Sequence, residues 1–222
     1  MRPVWHAMAA VLTVVPVLWL VSIYPDLPAR VPVHWNIHGA PDRWAAKTLA
    51  SVFLVGVISI WVQLLLGLLV HDTDVAREQA GSASLRQSMS VMYQLMQPLR
   101  FVLASMMAVI MVGLRAGERQ AWFSPAMMTC TAVLIGWTLV GVYRGWKAQE
   151  AYEATLPPDA PELQDENYRM GVIYYNPNDA NFLVHKRLGI GFTINAAHRR
   201  AWLYLGVMVG LVATTLSAAF TL

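Results

Sequence analysis

Apolar residues gather into five long runs separated by polar stretches: 4–24, 48–70, 94–114, 125–143 and 201–222. Each is close to the roughly 20 residues that a helix needs to cross a bilayer. The third is the least regular, because it is uninterrupted only over 101–114 and reaches spanning length by taking in Gln94, Gln97, Pro98 and Arg100. The first contains Pro16, which a membrane helix tolerates when neighbouring helices cover the freed carbonyl. Trp5 and Tyr24, and later Trp122 and Tyr143, stand at run ends as interfacial anchors. Ser124-Pro125 has the form of an N-cap with proline at the first helical position. The pattern predicts an all-α polytopic membrane protein of about five transmembrane helices, with residues 71–89 polar and mostly solvated.

Two polar interruptions break the helical period. In 25–47, Pro25, Pro28, Pro32 and Pro41 each fix φ and remove a backbone donor, so the segment is extended rather than helical. Val31, Val33, Trp35 and Ile37 alternate with Pro32, His34, Asn36 and His38, the signature of a half-buried strand, and 36–39 supplies a turn. Pro41, Asp42, Arg43 and Trp44 then read as the opening of a helix that leads into the second span. The other interruption, 144–200, starts as an acidic arm: Glu150, Glu153, Asp159, Glu162, Asp165 and Glu166 occur with Pro157, Pro158 and Pro161. It ends as a small β module, with a hairpin of 172–175 and 182–184 and a glycine-rich third strand within 188–195. The expected organisation is a membrane domain over 1–143, a soluble module over 144–200 and a last span over 201–222.

Composition strengthens this reading. At 57% apolar and 13% charged residues, the chain lies outside the make-up of a soluble domain. Cys130, the single cysteine, sits in an apolar run and is expected to pack. Basic residues are distributed unevenly: with Arg100 set aside, Arg2, Arg77, Arg86 and the seven from Arg144 to Arg200 make ten, against five at Arg30, Arg43, Lys47, Arg115 and Arg119. The excess predicts a cytoplasmic amino terminus and module, with the 25–47 loop and the carboxyl terminus extracytoplasmic.

Candidate chemistry is sparse. His34 and His38 would lie about 13 Å apart on a strand, too far to share a metal, so structural roles are expected: His34 serving backbone groups that the prolines cannot pair, and Asp42 with Arg43 tying the loop to the helix start. Gln94, Gln97 and Arg100 recur every third residue and share one broad helical face. That face is either a polar, ligand-sensing surface open to the cytoplasm or, as expected here, a place from which Arg100 snorkels to the interface. Gly206 and Gly210, spaced G-x-x-x-G, predict a packing seam within the chain. Gly189 and Gly191 lack the third glycine of a dinucleotide fingerprint, and Lys186, Arg187, Arg199 and Arg200 suit anionic lipid headgroups. No nucleophile with a base is spaced for catalysis, and no carboxylate falls inside the predicted spans. The expectation is no enzyme activity, cofactor, metal or nucleic-acid partner.

The order Leu27-Pro28, Val31-Pro32, His34-Trp35-Asn36, Gly39, Pro41-Asp42-Arg43-Trp44 after a first span resembles an uncharacterised bacterial membrane family that includes the SdpI-type immunity proteins. The block GVIYYNPND followed by KRLGIGFTIN resembles an uncharacterised C-terminal module of some relatives. The resemblance implies a multi-pass bacterial inner-membrane protein; in SdpI-type members it implies protection against a secreted toxin and membrane sequestration of a repressor. The expected function is therefore a non-enzymatic sensor or immunity protein that binds an extracellular ligand or toxin through Pro28, Pro32, His34, Trp35, Asn36, Gly39, Pro41, Asp42, Arg43 and Trp44. The alternative is an accessory subunit of a transporter or other membrane complex, its Met- and Trp-rich spans supplying lateral contact.

Overall fold

The computed structural model describes residues 2–115, 121–158, 160, 164–186 and 191–219. Arg119, Asp159, Pro161, Glu162, Arg187 and Gly189, named above, lie outside the described residues. The chain is mostly helical: α1 (Arg2–Ile23), α2 (Leu49–Gln79), α3 (Ala83–Gly113), α4 (Phe123–Glu153) and α5 (Arg200–Ala219). All five are long and apolar enough to cross a membrane, the make-up of a multi-pass membrane protein. Small strand pairs complete it: β1 (Arg30–Trp35) with β2 (Pro41–Ala46), β3 (Tyr168–Arg169) with β4 (Ile173–Tyr174), and β5 (Leu183–His185) with β6 (Phe192–Ile194), all antiparallel.

Helices α2, α3 and α4 have 31 residues each. At 1.5 Å per residue that is roughly 46 Å, well beyond the ~30 Å of a hydrocarbon core. The stretch 71–89 is accordingly helical on both sides of a short turn rather than a solvated linker, and Asp72, Thr73, Ser88 and Met89 are buried there. Side-chain burial against neighbouring elements, which no local apolar run encodes, carries these helices past their predicted ends.

Residues 41–46 are a strand, not the start of a helix. Pro41 has no N–H to offer a ladder but suits one end of a two-stranded ribbon, and pairing with β1 satisfies backbone groups that a helix start would leave open. The helix begins after this ribbon, where Ser51 N–H donates to Thr48 Oγ1 (3.1 Å) and Thr48 N–H to Ser51 Oγ (2.9 Å), a reciprocal cap.

The helices contribute to two compact units. The first comprises Met1–Leu65, Pro98–Gly136 and Met208–Leu222. Its core joins Leu20, Leu27, Val31, Val52, Met111 and Leu114, with Trp35 and Phe53 packed against it.

The second unit comprises Leu66–Gln97 and Trp137–Val207 and includes the β module. There the predicted hairpin of 172–175 with 182–184 is replaced by two shorter ones. Met170 and Gly171 take φ of 53° and 74°, closing a tight turn that folds β4 back on β3. The fully buried Asn195 then ties the pairs together: its amide donates to the Asn176 carbonyl (2.8 Å), and its oxygen accepts from the N–H of Asn176 (3.1 Å) and of Ala197 (3.2 Å).

Candidate recognition site at the β1–β2 hairpin

The hairpin is held at its base, middle and tip. At the base, Lys47 Nζ donates to the carbonyls of Tyr24 (3.3 Å), Pro25 (3.2 Å) and Leu27 (2.8 Å), which clamps the proline-rich bend. In the middle, Val31 and Pro32 are buried, Pro32 faces Trp44 across the ladder, and the register shifts around His34. His34 Nδ1 lies 2.5 Å from Asp42 Oδ1, so His34 is paired with a side chain across the strands rather than with backbone groups. Arg43 sits opposite His34, and Pro28 lies exposed in the bend before β1.

At the tip, Asn36 Oδ1 accepts from the N–H of His38 (2.9 Å) and Ala40 (3.1 Å), and Gly39 N–H donates to the Asn36 carbonyl (2.9 Å). Gly39 has φ of 72°, where a side chain with a Cβ is disfavoured. Gly39→Val should therefore lower stability by about 1–2 kcal/mol, whereas exposed His38→Ala should change it by less than about 0.5 kcal/mol. Equal melting temperatures for the two variants in detergent would contradict the ordered turn.

The tip leans on α4. Trp35 stacks on Phe123 (centroids 4.7 Å, 26° between planes), and both rings lie against Gly113, where a Cβ would sit 2.8 Å from Phe123. Ser124, predicted as an N-cap, instead donates its hydroxyl to the Ile37 carbonyl, and α4 starts at Phe123. Beside this contact runs an open groove of about 430 Å³, bordered by Trp35 and Ile37 and floored by Met127, Met128, Thr131 and Ile135. Ile37 is 77% exposed at its rim. No residue in the most apolar part of α4 is buried, so the described residues leave a flank of this helix uncovered.

The predicted polar face does not act as one group. Gln94 Oε1 accepts from Arg144 Nη2 (3.3 Å), while the Gln97 amide is buried with neither its nitrogen nor its oxygen bonded. Arg100 is 7% exposed, and its guanidinium meets Gln63 and His6 on neighbouring helices. Among the glycines, Gly210 lies against Trp61, whereas a Cβ at Gly206 would meet open space.

Two groups in the second unit were invisible to sequence spacing. Asp72 accepts from Arg200 Nη1 and from Tyr204 Oη, both at 2.8 Å. Ser88 Oγ lies 3.1 Å from His185 Nε2, and the imidazole stacks between Tyr152 (4.3 Å) and Phe192 (4.1 Å). Both residues of this pair are buried, and Nδ1 of His185 has no partner among the described residues, so no acid among them orients the imidazole.

Burial pushes the His185 imidazole down to about 4. The unfolded chain takes up this proton near pH 6.5 and the folded chain only near pH 4, so stability is present above 6.5 and is lost as pH falls through that window. The full effect is roughly 3 kcal/mol. Amide exchange in β5 and β6, corrected for intrinsic rates, should rise between pH 6.5 and 4, and His185→Phe should remove most of that rise. An unchanged pH profile in His185→Phe would exclude this group as the cause.

Two family models match parts of the chain. One, described as a domain of unknown function (DUF1648), covers residues 11–60, which hold most of α1, the hairpin and the first part of α2. The other, described as a family of unknown function (DUF5808), covers 177–202, from the turn after β4 to the start of α5. Both indicate an uncharacterised family. No curated protein and no solved structure matches the chain.

Proposed function

We propose that this protein is a non-enzymatic receptor of the bacterial inner membrane, of the sensor or immunity type, that binds an apolar helical peptide. The peptide lies along α4 under the hairpin tip. The groove beside Trp35 and Ile37 is the observation that carries this reading. Its floor follows one flank of a helix, its Met127 and Met128 side chains adapt to varied apolar shapes, and its rim is fixed in advance by the Asn36 turn and the Trp35–Phe123 stack. The amino terminus is cytoplasmic and the hairpin extracytoplasmic, a reading supported by the ten-to-five basic asymmetry. The likeness of the 27–44 motif to SdpI-type proteins supports a secreted toxin as the ligand.

The uncovered flank of α4 also favours a second reading, in which the occupant is a helix of a larger membrane complex. One experiment separates them. Ala132→Trp fills the groove from an exposed position, and Ile37→Asp places a charge on its rim. For a receptor, both variants should keep normal abundance and lose protection against an added apolar helical toxin. For a subunit, both should lose a stoichiometric co-purifying chain. Retention of protection and of all partners by both variants would reject the groove as a binding site.

A further inference from the structure

Among the described residues, Arg100 has no carboxylate partner. Its residue is 7% exposed, and its donors reach only neutral acceptors: Nε–H to Gln63 Oε1 (3.3 Å), Nη1–H to His6 Nδ1 (2.9 Å) and Nη2–H to the Gln63 carbonyl (3.5 Å). A guanidinium has five N–H groups, so two remain available. The described carboxylates of this unit are Asp26 and Asp42, and both belong to the hairpin end, twenty or more residues beyond His6. An uncompensated charge in a membrane segment is costly, and such residues usually pair with an anion or line a site.

The level of Arg100 along the bundle indicates which anion. His6 is on α1, two residues inside the start of its apolar span at Val4, so the contact lies at one end of that span. Trp5, next to it and 37% exposed, packs edge-on against Phe101 with centroids 6.3 Å apart, the kind of amphipathic ring that settles at headgroup depth. The anion present at that depth in every bilayer is lipid phosphate. His6 itself is exposed, leaving the Arg100–His6 contact open on the lipid side.

We propose that Arg100, oriented by Gln63 and flanked by His6 and Trp5, binds the phosphate diester of a phospholipid in the leaflet at the amino end of α1. Gln63 holds the guanidinium plane through two contacts and returns its own amide to the Arg100 carbonyl (3.1 Å), so the donors are positioned before the lipid arrives. His6 accepts from Arg100 through Nδ1, which makes it the neutral Nε2–H tautomer in this contact.

The test uses the full chain purified in a maltoside detergent and compares thermal stability with three additions: dioctanoyl phosphatidylglycerol, dioctanoylglycerol with the same chains and no phosphate, and inorganic phosphate. The phospholipid should raise the melting temperature, and the other two should not. Arg100→Gln should weaken the phospholipid response about tenfold or more, the loss of a charge-assisted hydrogen bond. His6→Asp provides a second variant: aspartate Oδ1 is as far from Cβ as histidine Nδ1, so it should satisfy Arg100 within the chain, leave a folded protein and abolish the response. An equal phospholipid response in both variants would overturn the proposal. So would a response to inorganic phosphate alone, which marks a soluble-anion site, or to dioctanoylglycerol, which marks acyl-chain binding. A stoichiometric protein chain that leaves on Arg100→Gln while the lipid response persists would assign the counter-charge to a partner instead.

Discussion

Asp72→Ala should cost the second unit about 2–3 kcal/mol, the loss expected when one member of a buried charged network is removed. The residue is 6% exposed, and both of its carboxylate oxygens are used, one by Arg200 and one by Tyr204, which is itself 5% exposed. The Arg200 side chain is half-exposed and regains water, so most of the cost falls on the Tyr204 hydroxyl left without an acceptor. Asp72→Asn keeps the shape and one acceptor and should lose about half as much. Melting temperature in detergent, together with amide exchange at the start of α5, reads both. If Asp72→Ala melts with the parent and its α5 amides remain protected, the network contributes nothing.

Gly210→Leu should disrupt the packing of α5 against Trp61. A Cβ there would sit 2.7–2.8 Å from two atoms of the Trp61 ring, so either the indole or α5 must move. Overpacking of this kind typically costs about 1–3 kcal/mol, and a bilayer offers little hydrophobic drive to recover it. Gly206→Leu is the internal control. It lies one helical turn away in a sequence pattern that treats the two alike, yet no atom stands within 4 Å of its Cβ position. Folded yield in detergent should fall sharply for Gly210→Leu and stay near the parent for Gly206→Leu. Similar losses for both would mean that Gly206 packs against something outside the chain.

The contrast between these two glycines shows the reach of sequence spacing. A G-x-x-x-G pattern states that two positions share a helix face; which of them meets another helix depends on where Trp61 is brought. Arg100 teaches the same lesson. Its distance from the interface permits snorkelling, but Gln63 and His6 arrive from two other helices and provide nearer acceptors. In the hairpin, the extended backbone up to Trp35 and the Asn36–Gly39 turn were legible because proline, asparagine and glycine restrict the backbone locally, whereas the expected alternation fails at Pro32, which is buried, and at Ile37, which is 77% exposed. The second strand was not, because Pro41-Asp42-Arg43-Trp44 carries helix-start chemistry and becomes a strand only through pairing with β1. The groove was illegible for a related reason: Met127, Met128 and Ile135 read simply as part of a span until Trp35 stacks on Phe123 and sets a rim beside them.

By itself the sequence determined the number and approximate centres of five apolar helices, the polar islands between them and the turn at Asn36. All are set by local composition and backbone restriction, which act over a few residues at a time. Tertiary structure alone decided where the helices end, how the module's strands pair, and which polar residues find partners. Those outcomes depend on groups far apart in the chain: Asp72 with Arg200 and Tyr204, Ser88 with His185, and Gln63 with Arg100. A buried polar group takes the partner that folding places within about 3 Å, and no periodicity along the chain records that distance.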